Sequence, residues 1–204
     1  MMPLQNRVSP SGELLTDNAR GSWLGNRGIL HNEKKEIIRP WKHKNWVLCE
    51  LSYKERRREV FSPNSYSELF FLDEATGLSA GHRPCATCRR QRFDEFKQAW
   101  NAAQLSELKV DEIDKILHQD RAVRGGKKVT YTDKLANLPD GVFMELEGRP
   151  WLVWENELHE WRPDGYRART EICGDLNVTV LTPKCMVEII NAGFIPQVDE
   201  SVTS

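Results

Sequence analysis

Between Gly81 and Arg90 the chain reads GHRPCATCRR, two cysteines two residues apart directly after a proline. A pair spaced in this way brings both sulfurs toward one point, and the rest of the site must be delivered by segments remote in sequence. Pro84 also opens an amphipathic pattern, because Phe93, Phe96 and Trp100 recur at three and four residues. The spacing predicts a helix through CATCRRQRFDEFKQAWNAA, with both cysteines in its first turn. There the helix dipole and Arg83, Arg89 and Arg90 would favour the thiolate form that a metal requires. Zinc is the ion this chemistry suits. The competing readings are a thioredoxin-type redox pair, for which no parallel strand-helix-strand frame surrounds the motif, and a pair of inert buried thiols. Two ligands make half a tetrahedral site. Cys49, on the predicted strand NWVLCELSY, is the candidate third, and His82, His31, His43 and Asp73 compete for the fourth.

The 204 residues suffice for one globular domain or two small ones sharing a core, and 39% apolar residues exclude wholesale disorder. No run approaches the roughly 18 apolar residues of a spanning helix, and MMPLQNRVSPSGELL lacks the layout of a secretory signal. A soluble, cytoplasmic protein without a membrane partner is the expectation. The net charge of -1 conceals an asymmetry: residues 1–100 hold 17 Lys+Arg against 12 Asp+Glu, leaving 12 against 18 for the remainder. The amino half is the candidate for an anionic partner.

Turn signals dominate the first 45 residues, which should be irregular chain with short strands. NWVLCELSY and REVFS, joined by KERRR, are predicted to form a hairpin. SELFFLDEATGLSAG reads as a helix capped by Ser67 and stopped at Gly81, and SELKVDEIDKILHQDRA as another capped by Ser106. VRGGKKVTYTDKLANLPDG breaks the pattern. Beyond it GVFMELEG, RPWLVWEN, ELHEWRP, YRARTEI and NVTVLTP alternate as short strands of a compact antiparallel sheet or small barrel, followed by a helix from Pro183 to Gly193 and a polar tail. The fold class is therefore α+β, with a zinc-binding region over 1–105, a helix and linker over 106–139, and a β-rich region with a terminal helix over 140–204.

Basic and aromatic residues interleave near the cysteines. Arg39, Trp41, Lys42, His43, Lys44 and Trp46 form one group, Lys54 and Arg56, Arg57 and Arg58 a second, and Arg83, Arg89, Arg90 and Arg92 a third. If they converge, Arg56, Arg57, Arg58, Arg83, Arg89 and Arg90 would contact the phosphates of a nucleic acid, with aromatic planes for stacking. The bland alternative is that each Trp is core and each Arg solvates a surface. Trp151, Trp154 and Trp161, on alternating strand patterns, read as core packing, and Cys173 and Cys185 as small buried hydrophobes. Neither a nucleophile elbow nor a P-loop is present.

LDEATGLSAGHRPCATCRR resembles the zinc-binding domain of the Ada DNA-methylation-response proteins, over about twenty residues. The resemblance implies a bacterial family carrying an Ada-like zinc knuckle, with Cys85 and Cys88 as ligands and Cys49 as an upstream ligand. DNA is the implied partner. Ada proteins have two upstream cysteines, one of them accepting a methyl group from a DNA phosphotriester, whereas Cys49 is followed by ELSYKERRR with no second cysteine. A weaker likeness is to nucleobase deaminases, whose H-x-E and P-C-x-x-C elements are matched by His31–Glu33 and Pro84–Cys88, although Pro40 sits where the deaminase helix should run. The sequence thus points first to a zinc-binding, DNA-associated protein, and then to a zinc-dependent enzyme acting on nucleic acid or nucleobase. A protein-interaction module with structural zinc is the third reading.

Overall fold

The computed structural model describes residues 2–54, 59–104, 107–123, 125–171 and 176–203. Among them four helices and two six-stranded sheets give the mixed α+β class that the sequence predicts. Arg56, Arg57, Arg58, Ser106 and Cys173 lie outside the described residues. No described helix is long and apolar enough to cross a membrane.

The amino sheet comprises β1 (Gln5–Val8), β2 (Leu14–Thr16), β3 (Trp23–Asn26), β4 (Val47–Cys49), β5 (Leu69–Phe71) and β6 (Arg83–Pro84). Its spatial order is β2, β1, β5, β3, β4, β6. β4 runs antiparallel to β3 and parallel to β6. Both of its edges are therefore occupied, and the predicted hairpin to REVFS does not form. Val60 and Phe61 lie in a turn instead, Phe61 at φ 57 with its ring buried.

The helix predicted from Ser67 is shorter than its sequence suggests. Leu69 and Phe71 bury alternate side chains as a strand, and only Glu74–Ser79 (α1) is helical. The Ser67 hydroxyl is engaged elsewhere, accepting the Leu30 N–H at 2.8 Å and bonding His31 Nδ1 at 2.6 Å. Asp73 takes over as N-cap, accepting the Thr76 N–H at 2.8 Å. Gly77 packs so closely on β4 that a Cβ would stand 2.9 Å from Leu48 Cδ1 and Cδ2. Gly81, at φ 88, stops the helix as expected, with the His82 N–H returning to the Gly77 carbonyl at 2.9 Å.

Helix α2 (Arg90–Gln104) begins after both cysteines, so Cys85 and Cys88 occupy the turn leading into it rather than its first turn. With α3 (Val110–Arg121) and α4 (Lys184–Asn191) it encloses Phe96, Trp100, Ile113, Leu117, Met186, Ile189 and Phe194. Truncating Phe96 or Trp100 to Ala in so closed a core would cost about 3–5 kcal/mol. The start of α3 is set by Glu112, which accepts the Lys109 N–H at 2.8 Å.

The carboxyl sheet is antiparallel throughout. It contains β7 (Tyr131–Lys134), β8 (Phe143–Leu146), β9 (Arg149–Trp154), β10 (Glu157–Arg162), β11 (Gly165–Glu171) and β12 (Asn177–Val180), in the order β11, β10, β9, β8, β12, β7. Two-residue turns at Glu147–Gly148 and Glu155–Asn156, all at positive φ, match the strand twist and fix the register of β8, β9 and β10. β7 comes from the stretch expected to be linker. The presumed polar tail is also structured: Val202 is buried with Ala75, Phe143, Trp161 and Tyr166, and the Asp199 N–H donates to Asp73 Oδ2 at 3.1 Å. Helix α1 thus sits between the two sheets, held by residues more than a hundred positions later.

Candidate metal centre

The parallel pairing of β4 with β6 builds the site. Val47 is opposite Arg83 and Leu48 opposite Pro84, and the Cys85 N–H donates to the Leu48 carbonyl at 2.9 Å. One step further along this register stand Cys49 and Cys85. The turn after β6 then folds Cys88 back, with the Arg89 N–H on the Cys85 carbonyl at 3.0 Å. The Sγ atoms of Cys49, Cys85 and Cys88 lie within 4.8 Å of one another, and all three residues are half-buried. The Thr87 N–H points at Cys85 Sγ at 3.4 Å, and the Glu50 N–H at Cys88. Backbone donors aimed at sulfur stabilise thiolate rather than thiol.

Three sulfurs at this separation cannot all ionise unaided. Hydrogen bonds from Cys49 and then Cys88 hold the Cys85 thiol far below its ordinary pKa, while hydrogen bonding to Cys85 and Cys88, then burial, drive Cys49 far above. Cys88 is drawn down by Cys49 but pushed up by Cys85 and by burial, and ends above the ordinary value. One thiolate held by two thiols is the arrangement without a cation; a divalent ion would release the two remaining protons. The cluster could hold a metal ion.

The fourth ligand expected from His82 is not delivered. Cys85 and His82 are three residues apart along extended chain and so project to opposite sides. The His82 ring is fully buried, 4.7 Å from Phe71 and 5.3 Å from Trp46, and its Nε2 accepts Arg27 Nε at 3.2 Å. Burial, then the charges of Arg27 and Arg121, hold it neutral, well below the usual imidazole pKa. Asp73 is also committed elsewhere: besides capping α1 it accepts the Tyr166 hydroxyl at 2.7 Å. His31 stacks on Phe61 at 4.6 Å, in a bridge rather than a helix, so the deaminase-like H-x-E string is not assembled with the cysteines. Among the described residues no fourth His, Cys, Asp or Glu joins the three.

The arginines predicted to contact phosphate divide sharply. Arg83 is buried and clamps both oxygens of Asp114 at 2.8 and 2.7 Å. Arg89, equally buried, pairs with Glu74 at 2.8 Å and lies 3.8 Å above the Trp23 ring. Neither faces solvent, so both are internal ties that anchor the cysteine loop to α3 and α1, and not the nucleic-acid contacts expected from sequence. Arg90 remains 71% exposed, paired among the described residues with Asp94 one turn on. Arg92, in the same basic run, closes on Glu74 at 2.7 Å and Glu95 at 2.8 Å. Glu74 is thus the hub that gathers this cluster, a role that nothing in its local sequence announces.

No protein-family model matches the chain, and neither a curated protein nor a solved structure matches it.

Proposed function

We propose that the protein is a zinc-binding, DNA-associated protein with an Ada-like metal site, in which Cys49, Cys85 and Cys88 hold the ion. The observation that carries this reading is the convergence of three thiols within 4.8 Å, delivered by a strand pairing and a turn that also aims backbone N–H groups at sulfur. The donor set suits zinc: soft sulfur ligands, tight spacing and charge compensation by the ion itself. Bound there, zinc would hold β4 to the turn before α2 and keep all three cysteines as thiolates.

The test is metal analysis of untagged protein, with about one zinc per chain expected. Cys85→Ser and Cys88→Ser should each abolish it, and metal-free wild-type protein of unchanged thermal stability would refute the assignment. Association with DNA is the finer part of the reading. Support for it comes from the basic balance of the amino half and the exposed Arg90, now without Arg83 and Arg89. DNA affinity should fall steeply as salt rises, and neutralising Arg56, Arg57 and Arg58 together should reduce the slope by up to roughly three times the per-phosphate 0.7–0.9.

A second reading is favoured by the three-cysteine count. A site with three protein ligands leaves a position for an outside molecule, the layout of a zinc enzyme rather than of a closed structural site. Intact mass after incubation with DNA carrying methyl phosphotriesters tests the repair branch, where a single methyl gained on Cys49 is expected; chemistry at the open position leaves the mass unchanged and is read from turnover of a nucleic-acid or nucleobase substrate, and neither result favours the binding protein.

A further inference from the structure

Apart from the cysteines, the chain encloses a cleft of about 770 Å³, within the size range of small-molecule sites. Its depth is cationic. Arg27, only 2% exposed, gives Nε to His82 and Nη1 to the Gly12 carbonyl at 3.0 Å, and its Nη2 has no hydrogen-bond partner. Arg121, 1% exposed, gives Nη1 to the Gly81 carbonyl at 2.6 Å and Nη2 to the Lys44 carbonyl and His118, while its Nε has none. Both guanidinium groups lie against the same indole, 4.2 and 4.0 Å from the Trp46 ring. Lys128, partly exposed along its stem, donates its ammonium to the Ser79 carbonyl.

Every one of these partners is neutral. Among the described residues no carboxylate forms an ion pair with Arg27, Arg121 or Lys128. Asp114 is near Arg121, but Arg83 holds both of its oxygens, and Glu13 in the cleft wall is exposed. Carbonyl groups can be satisfied by uncharged amides, so the hydrogen bonds do not explain why charge is gathered here. A charge taken out of water without a counter-ion is strongly disfavoured. Burial, and then the neighbouring cation, lower the pKa of Arg27 to about 9; burial chiefly brings Arg121 to about 9 and Lys128 to about 7. The wall nearby combines Ile37, Ile38, Pro40 and the half-buried Trp41 with the exposed Arg39 and Lys127. Gly12, at φ 84, lines the cleft beside Arg27, and a Cβ there would stand 3.7 Å from the unpartnered Nη2, at ordinary contact distance.

We propose that this cleft binds a phosphate monoester with a flat or apolar body, the phosphate seated among Arg27, Arg121 and Lys128 and the body against Trp41, Pro40 and Ile38. Three cations suit a dianion better than a single carboxylate, and the unpartnered Nη2 of Arg27 and Nε of Arg121 are single donors for its oxygens. The inference stands whether or not the cysteines hold zinc. The monoester could belong to a free nucleotide or to the 5′ end of a nucleic-acid strand, and the probes distinguish them.

The experiment titrates the intact protein with adenosine 5′-monophosphate, inorganic phosphate, adenosine, and a short oligonucleotide with and without a 5′-phosphate. Thermal stability and tryptophan fluorescence are read at ionic strength matched with sodium chloride. Saturable stabilisation by the monophosphate and by phosphate, and none by adenosine, is expected. Lys128→Met and Arg27→Met should each weaken binding by roughly tenfold or more, the loss of a charged hydrogen-bond partner. Arg27→Met also removes the donor to the Gly12 carbonyl and His82, so its effect is read as loss of the phosphate-dependent stabilisation, and Lys128→Met gives the same reading at a less buried position. Tighter binding of the 5′-phosphorylated strand assigns the strand end, and tighter binding of the mononucleotide assigns a free metabolite. The proposal is overturned if phosphate acts no more strongly than chloride, if the variants bind the monophosphate like wild type, or if adenosine stabilises as strongly as its monophosphate.

Discussion

The cysteine cluster and the cationic cleft are incomplete in opposite senses. Three sulfurs meet with one negative charge shared between them, and three cations meet with no anion; in each case the protein has assembled groups that repel when fully charged. Elsewhere several of the buried arginines are neutralised internally. Arg83 with Asp114, and Arg89 and Arg92 with Glu74, are closed pairs of the kind a stable interior contains. Their presence beside the two open clusters shows that this fold can supply counter-charges where it needs them. The two open clusters are therefore the places for which we propose a charge from outside.

The largest test of that contrast is removal of the external charge. Structural zinc sites contribute about 10–16 kcal/mol of apparent binding energy in small zinc domains, so stripping the metal or making Cys85→Ser should abolish cooperative unfolding of the amino sheet while the carboxyl sheet persists. Calorimetry of holo and chelated protein reads this directly; identical transitions would mean the cysteine cluster is closed already. Next in size is a closed pair broken from inside. Asp114→Ala leaves Arg83 buried alone and should cost about 3–5 kcal/mol in denaturant unfolding. A loss below 1 kcal/mol would show that a lone buried arginine is cheap here, and the distinction between open and closed clusters would fail.

The smallest effect is a pH slope. Lys128 has a folded pKa of about 7 against 10.5 for the free side chain, lowered by burial first and then by Arg27 and Arg121, with Cys185 opposing and His82 also facing it. Between these values the unfolded chain binds more protons, so the destabilisation is full below about pH 7 and is relieved as pH rises. Wild type should therefore gain on Lys128→Met between pH 6.5 and 8.5, by about 1 kcal/mol once its partly exposed stem is allowed for. Saturating phosphate should reverse the slope.

Local chemistry carried the sequence reading as far as it could. The C-x-x-C pair, the alternating carboxyl strands with their two-residue turns, and the Pro183 to Gly193 helix all lie within a few residues of the signals that define them. Cys49 reaches the cluster only through the parallel pairing of β4 and β6, and so came from chemistry rather than from pattern. Ser67 looks like the cap in sequence; the His31 contact, 36 positions away, engages its hydroxyl, and Asp73 caps the helix instead. The arginines misled because a guanidinium near a metal motif reads as basic surface, whereas Asp114 and Glu74 draw Arg83 and Arg89 inside. Arg27, Arg121 and Lys128 are scattered over a hundred positions, and no periodicity links them.

The order in which the ribosome delivers these parts follows from the docking of the last described residues on α1. Asp73 and Glu74 accept the N–H groups of Asp199 and Gln197, across 126 and 123 positions. At roughly 5–20 residues per second, Glu74 waits about 6–25 s for that partner. Cys49, Cys85 and Cys88 are all synthesised within the first 88 residues and are joined by one short strand pairing. The three cysteines are therefore on the nascent chain before the second sheet exists, and an ion could be captured there first.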